Sequence, residues 1–68
     1  MNVETKCSLT QEEKEQYISL LKQQANWQLE VQLDNAQRDR QYASGEERAV
    51  LDWIVDTLME ELGRRNRW

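Results

Sequence analysis

The sequence has no proline and no histidine, only two glycines and a single cysteine, Cys7. One cysteine cannot close a disulfide within the chain, and without histidine it offers no ordinary zinc site. A nucleophile would also lack the usual histidine base. We therefore expect a protein that is not an enzyme and that binds no cofactor, no metal and no small-molecule substrate.

Long apolar runs are also missing, since none exceeds three residues, and the first residues carry charge. This pattern excludes a signal peptide and a membrane-spanning helix, so we expect a cytoplasmic protein without a membrane partner. The mean hydropathy of -0.99 is low, but three Trp and two Tyr are more than a disordered acidic chain usually carries. At 68 residues the core must be small, which favours stabilisation by a second chain.

Charge is unevenly distributed along the chain. Residues 1–62 hold six basic and thirteen acidic side chains, whereas residues 63–68 hold three arginines and no acid. The acidic body would repel nucleic acid. The C-terminal residues combine the chemistry of phosphate contacts and base stacking, and we treat them as a second candidate site: Arg64, Arg65, Arg67 and Trp68. A nucleic-acid-binding regulator that uses this tail is the alternative function.

Candidate helix-capping residues divide the chain into two predicted helices. Thr10 followed by Glu13 predicts a capping box, and Ser44 followed by Glu47 predicts another. We place the first helix at residues 11–42 and the second at 45–62. The domain prediction is a flexible N-terminus at 1–9, a helical hairpin domain at 10–63 and a basic C-terminal tail at 64–68.

The end of the second helix has two readings. Gly63 can cap it, because glycine readily adopts the left-handed conformation that often ends a helix. Continuation is favoured by acid–base pairs four residues apart, Glu60 with Arg64 and Glu61 with Arg65, by a few tenths of a kcal/mol each.

Apolar residues gather on one face of each predicted helix at 100° per residue. The first stripe contains Ile18, Leu21, Ala25, Leu29, Leu33, Ala36 and Ala43, and the second contains Leu51, Ile54, Val55, Leu58 and Leu62. The two stripes can face each other across a short turn. The sequence thus predicts an all-α fold, a two-helix antiparallel hairpin.

Apolar residues outside the two stripes do not fit a self-sufficient hairpin. One is Val50 beside the second stripe, and the other five are Tyr17, Leu20, Trp27 and Val31 on the back of the first helix and Trp53 beside the second stripe. The first helix would also exceed the second by about 20 Å. Such surface usually marks an interaction site. We predict that these five residues bind a partner, either a second copy in a four-helix homodimer or another protein. The predicted function is a small non-catalytic interaction module, a regulator, adaptor or chaperone.

An alternative is that the first helix breaks near Asn26, or near Asp34 and Asn35, and folds back into a three-helix cluster. No glycine or proline stands there, and Asp34 and Arg38 form a correctly ordered helical ion pair across the second position. We therefore predict a continuous first helix.

Overall fold

The computed structural model describes residues 9–66, which form three α-helices and no strand. The helices are α1 (Gln11–Lys22), α2 (Asn26–Arg40) and α3 (Gly45–Asn66). The all-α prediction is confirmed. The two-helix hairpin and the continuous first helix are wrong, because the first predicted helix is interrupted at residues 23–25. The interruption lies next to Asn26, the first of the two positions given above for the alternative three-helix arrangement. The predictions for residues 1–8 and 67–68 lie outside the described residues.

Helix α1 begins at the predicted capping box. The Glu13 amide donates to the Thr10 hydroxyl over 3.1 Å, and the Thr10 amide donates to the Glu13 carboxylate over 2.9 Å. The hydrogen bonds of the described residues include no such pair between Ser44 and Glu47. The α2–α3 turn depends instead on Gly45, whose φ of 62° lies in the left-handed region that favours glycine.

The break between α1 and α2 is made without glycine or proline. Ala25 adopts an extended conformation, with φ −74° and ψ 160°, and its amide donates to the side-chain oxygen of Gln28 over 2.8 Å. The Gln23 amide closes α1 on the Leu20 carbonyl. Because side chains satisfy the freed backbone groups, the chain can leave the helix here. The Asp34–Arg38 ion pair forms inside α2 and does not oppose this break.

The helices run up, down and up. Helix α2 is antiparallel to α3: Arg40 pairs with Asp52 near the turn, and Arg65 reaches Asn26 at the other end. Helix α1 runs parallel to α3, since the Leu21 carbonyl near its C-terminus also accepts from Arg65. Most contacts join α2 to α3, and α1 lies against this pair more sparsely.

The core draws on both predicted stripes. Its buried apolar residues are Leu21 of α1, Leu29 and Ala36 of α2, and Val55, Leu58 and Leu62 of α3. Tyr17, Leu33 and Ile54 pack against the central leucines. The stripes therefore supply the core as predicted, except that Ala25 is exposed in the break and α1 reaches the core by folding back.

Helix α3 passes through Gly63 and continues to Asn66, four residues beyond the predicted end. The ion pair between Glu61 and Arg65, 3.0 Å long, spans this extra turn. None of the helices in the described part of the chain is long and apolar enough to cross a membrane.

Candidate functional site

The five predicted contact residues are divided by the fold into two groups. Tyr17 and Trp53 pack on each other, with ring centroids 5.5 Å apart and a tilt of 52°. The Lys14 ammonium lies 5.6 Å from the centre of the Trp53 ring. The Tyr17 hydroxyl donates to Gln32 of α2 over 3.5 Å, and burial raises the pKa of Tyr17. These two aromatic rings thus attach α1 to the other helices.

The remaining three residues are exposed. Trp27 is 66% exposed and Val31 is 51% exposed, and they stand one helical turn apart on α2. Their position is opposite Leu29 and Ala36, which are buried against α3. We call Trp27 and Val31 the outer α2 face. Its side chains contribute little to the core and are available for contact with another molecule.

Leu20, which is 58% exposed, lies in a different place. It lines an open, mostly apolar groove of about 320 Å³ between α1 and α3, together with Leu9, Val50 and Ile54. Val50 also lines a second, shallow groove beside the α2–α3 turn. Tyr42 lines this groove as well. Neither groove was predicted from the sequence. The one available signal was the position of Val50 outside the apolar stripe of its helix.

The two described residues of the second candidate site, Arg64 and Arg65, do not share one exposed surface. Arg65 turns inward, and its guanidinium donates to the carbonyls of Leu21 over 2.9 Å and Gln24 over 2.6 Å. It also donates to the Asn26 side chain over 3.0 Å and pairs with Glu61, whose side chain is only 11% exposed. We call this arrangement the Arg65 clamp: Arg65, Glu61 and the backbone groups that Arg65 binds.

Arg64 differs from its neighbour. It lies 3.8 Å from the Glu61 carboxylate and stays largely in solvent. Arg67 and Trp68 lie outside the described residues. Of the four predicted tail residues, Arg65 thus holds the end of α1, and Arg64 shares its acidic partner Glu61.

Within residues 9–66 no group of three or more Asp, Glu, Cys or His side chains is arranged to hold a metal ion. Every buried side-chain nitrogen or oxygen in that range has a hydrogen-bond partner. The carboxylates Asp52 and Glu61 are occupied by arginines.

No protein-family model matches this sequence, and searches of curated proteins and of solved structures return no significant match.

Proposed function

We propose that this chain is a small non-catalytic module that binds another protein through the outer α2 face. The observation that carries the proposal is that Trp27 and Val31 are exposed on α2, whose opposite side carries the buried Leu29 and Ala36. An exposed indole with an aliphatic neighbour one turn away is the kind of anchor at which binding energy concentrates. Neither side chain belongs to the buried core.

The charged residues around the outer α2 face indicate what kind of partner it would bind. The outer α2 face is flanked by Glu30, Asp34 and Arg38, and the last two pair with each other over 3.0 Å. With the formal net charge of -4, this surround favours a partner that presents an apolar pocket bordered by basic side chains. A nucleic acid is supported less, because Arg64 and Arg65 both engage Glu61.

The test uses the full chain as bait and compares three forms. We expect the double substitution Trp27→Ser with Val31→Ser to lose the proteins that the wild type captures, while thermal unfolding changes little. Tyr42→Ser is the matched control, since Tyr42 is an exposed aromatic away from this face. Partners kept by the double variant, or lost equally by the control, would refute the assignment of the surface.

A further inference from the structure

Helix α1 is the most weakly attached part of the fold. It contributes one fully buried side chain, Leu21. Beyond that residue it is held by the packing of Tyr17 and Lys14 on Trp53, by the Gln32 hydrogen bond and by the Arg65 clamp. Only residues 23–25 join it to α2. A short connection to a sparsely packed terminal element is the arrangement in which two copies can exchange that element.

On an unbroken helix the buried residues of α1 and α2 would lie on one broad apolar face. Leu21 and Leu29 are both fully buried and are eight residues apart, which on an unbroken helix is about 80° of rotation. If residues 23–25 became helical, α2 could keep its present contacts with α3. Helix α1 would then extend away from its own α3 by about 20 Å.

We propose that a second copy of this chain supplies α1 to the site beside Trp53 and Gln32, so that two chains exchange α1 across a twofold axis near the 23–25 linker. The occupant fits because it has the same sequence as the α1 now bound there. Tyr17 would meet Trp53 and Gln32 of the other copy, and every packing contact of α1 would be formed twice. The symmetry closes at two chains, so no open polymer results.

The Arg65 clamp affects the equilibrium between the folded-back monomer and the dimer with exchanged α1 helices. In an unbroken helix the Leu21 carbonyl accepts the Ala25 amide, and the Gln24 carbonyl accepts the Gln28 amide. In the structure both carbonyls accept from Arg65, and the Ala25 amide donates to the Gln28 side chain. These bonds compete with helix formation at the linker. Arg65 and Gln28 therefore favour the folded-back monomer.

At low protein concentration the wild type should keep α1 in its own site. A tethered α1 has an effective concentration at its own site in the millimolar range, so a free copy competes poorly at micromolar protein. The monomer should dominate in dilute solution, and exchange should appear as the protein is concentrated. Weakening the clamp should move this transition to lower concentration.

The test is the molar mass by light scattering over a dilution series reaching about 1 mM. We expect Arg65→Gln to raise the dimer association constant at least about tenfold, because it removes the charge-assisted hydrogen bonds to the Leu21 and Gln24 carbonyls, which an unbroken helix would use for its own amides. Arg64→Gln is the matched control, since Arg64 shares Glu61 but does not touch the linker, and it should match the wild type. Gln28→Ala, which removes a single bond to the linker, should give a smaller rise and guards against a folding defect in Arg65→Gln.

The identity of the dimer is checked in a mixture of isotope-labelled and unlabelled Arg65→Gln protein. We expect nuclear Overhauser contacts between Tyr17 of one chain and Trp53 of the other. Two glycines inserted after Gln24 should abolish the dimer, because they disfavour a helical linker. A dimer with Tyr17–Trp53 contacts only within each chain would overturn the proposal, as would the absence of any rise for both Arg65→Gln and Gln28→Ala. Trp27→Ser should leave exchange unchanged, which separates this result from the outer α2 face.

Discussion

The α2–α3 pair and helix α1 are held in the fold by different kinds of interaction. Within residues 9–66, five of the six buried apolar side chains belong to α2 and α3, and α1 supplies only Leu21. Helix α1 relies instead on an aromatic contact at Trp53 and on hydrogen bonds from Arg65. Burial of apolar area is non-directional and shared among many atoms, whereas a guanidinium contact depends on a few atoms in a fixed geometry.

This difference means that the two regions should respond to different substitutions. Loss of core volume between α2 and α3 should unfold the whole chain, because no other part of the described molecule has a comparable core. Loss of a directed contact should release α1 and leave the pair in place. The clamp also joins the C-terminal end of α3 to the end of α1 through hydrogen bonds.

The largest effect is expected from Leu58→Ala in the α2–α3 core. Leu58 is fully buried, and such truncations cost about 2–5 kcal/mol through lost burial and the cavity left behind. A chain of this size has only about 3–5 kcal/mol of stability, so the substitution should remove most of it. Urea titration followed by helical circular dichroism measures the loss.

Met59→Ala is the control for this substitution, because the Met59 side chain is half exposed on the same turn of α3. It should change the free energy of unfolding by less than about 1 kcal/mol. If Leu58→Ala released α1 alone and left α2 and α3 protected, the contrast between the two regions would be wrong.

Glu61→Gln should give the next largest effect, and it should be confined to α1. The substitution leaves Arg65 without its charged partner at a largely buried site, which we expect to cost about 1–3 kcal/mol. Amide hydrogen exchange should quicken in α1 and at the linker more than in the middle of α2 and α3. Glu60→Gln, at the exposed neighbouring position, should leave both regions unchanged. Equal quickening throughout the chain would show that the clamp stabilises the whole fold.

The sequence predicted the elements whose signals are local. The apolar stripes, the capping box at Thr10 and the α2–α3 turn at Gly45 each depend on residues a few positions apart, and apart from the exposed Ala25 each is found where it was expected. The predicted Ser44 box is not, because the backbone there turns through the left-handed conformation of Gly45. Local periodicity also could not reveal the break, since the phase of the apolar stripe is unchanged across it.

The break depends on a contact that the sequence does not display. Arg65 binds the Gln24 carbonyl from 41 positions away, so no window of neighbouring residues contains both groups. The separation in sequence between α1 and α3 also explains where the predicted contact residues lie in the structure. Tyr17 and Trp53 were predicted to face a partner because nothing in a two-helix arrangement covered them, and folding back of α1 brings them together. Trp27 and Val31 lie past the break and remain exposed.

Thr10→Ala should produce a smaller effect at the start of α1. The hydroxyl accepts the Glu13 amide over 3.1 Å, and removal of such a cap costs about 1 kcal/mol. Because α1 is sparsely packed, the loss should appear as faster amide exchange in its first turn and not as a lower midpoint for α2 and α3. Ser44→Ala is the matched control, since the corresponding pair with Glu47 is not formed, and it should have little effect. A larger loss from Ser44→Ala would contradict the difference between the two helix starts.

The smallest effect concerns pH and the hydroxyl of Tyr17. Burial raises the pKa of Tyr17 above its ordinary value of 10.0, because the phenolate loses hydration beside Trp53. Between the unfolded and folded pKa values the native state therefore binds more protons than the unfolded state, so the free energy of unfolding falls as pH rises. This contribution is complete below pH 10 and is lost as pH rises through the raised pKa. Urea titrations on either side of pH 10 should show a decline that Tyr17→Phe reduces and that Tyr42→Phe, at an exposed site, retains. An identical decline in the Tyr17→Phe protein would mean that the ring is hydrated, and that α1 already separates from Trp53 in alkaline solution.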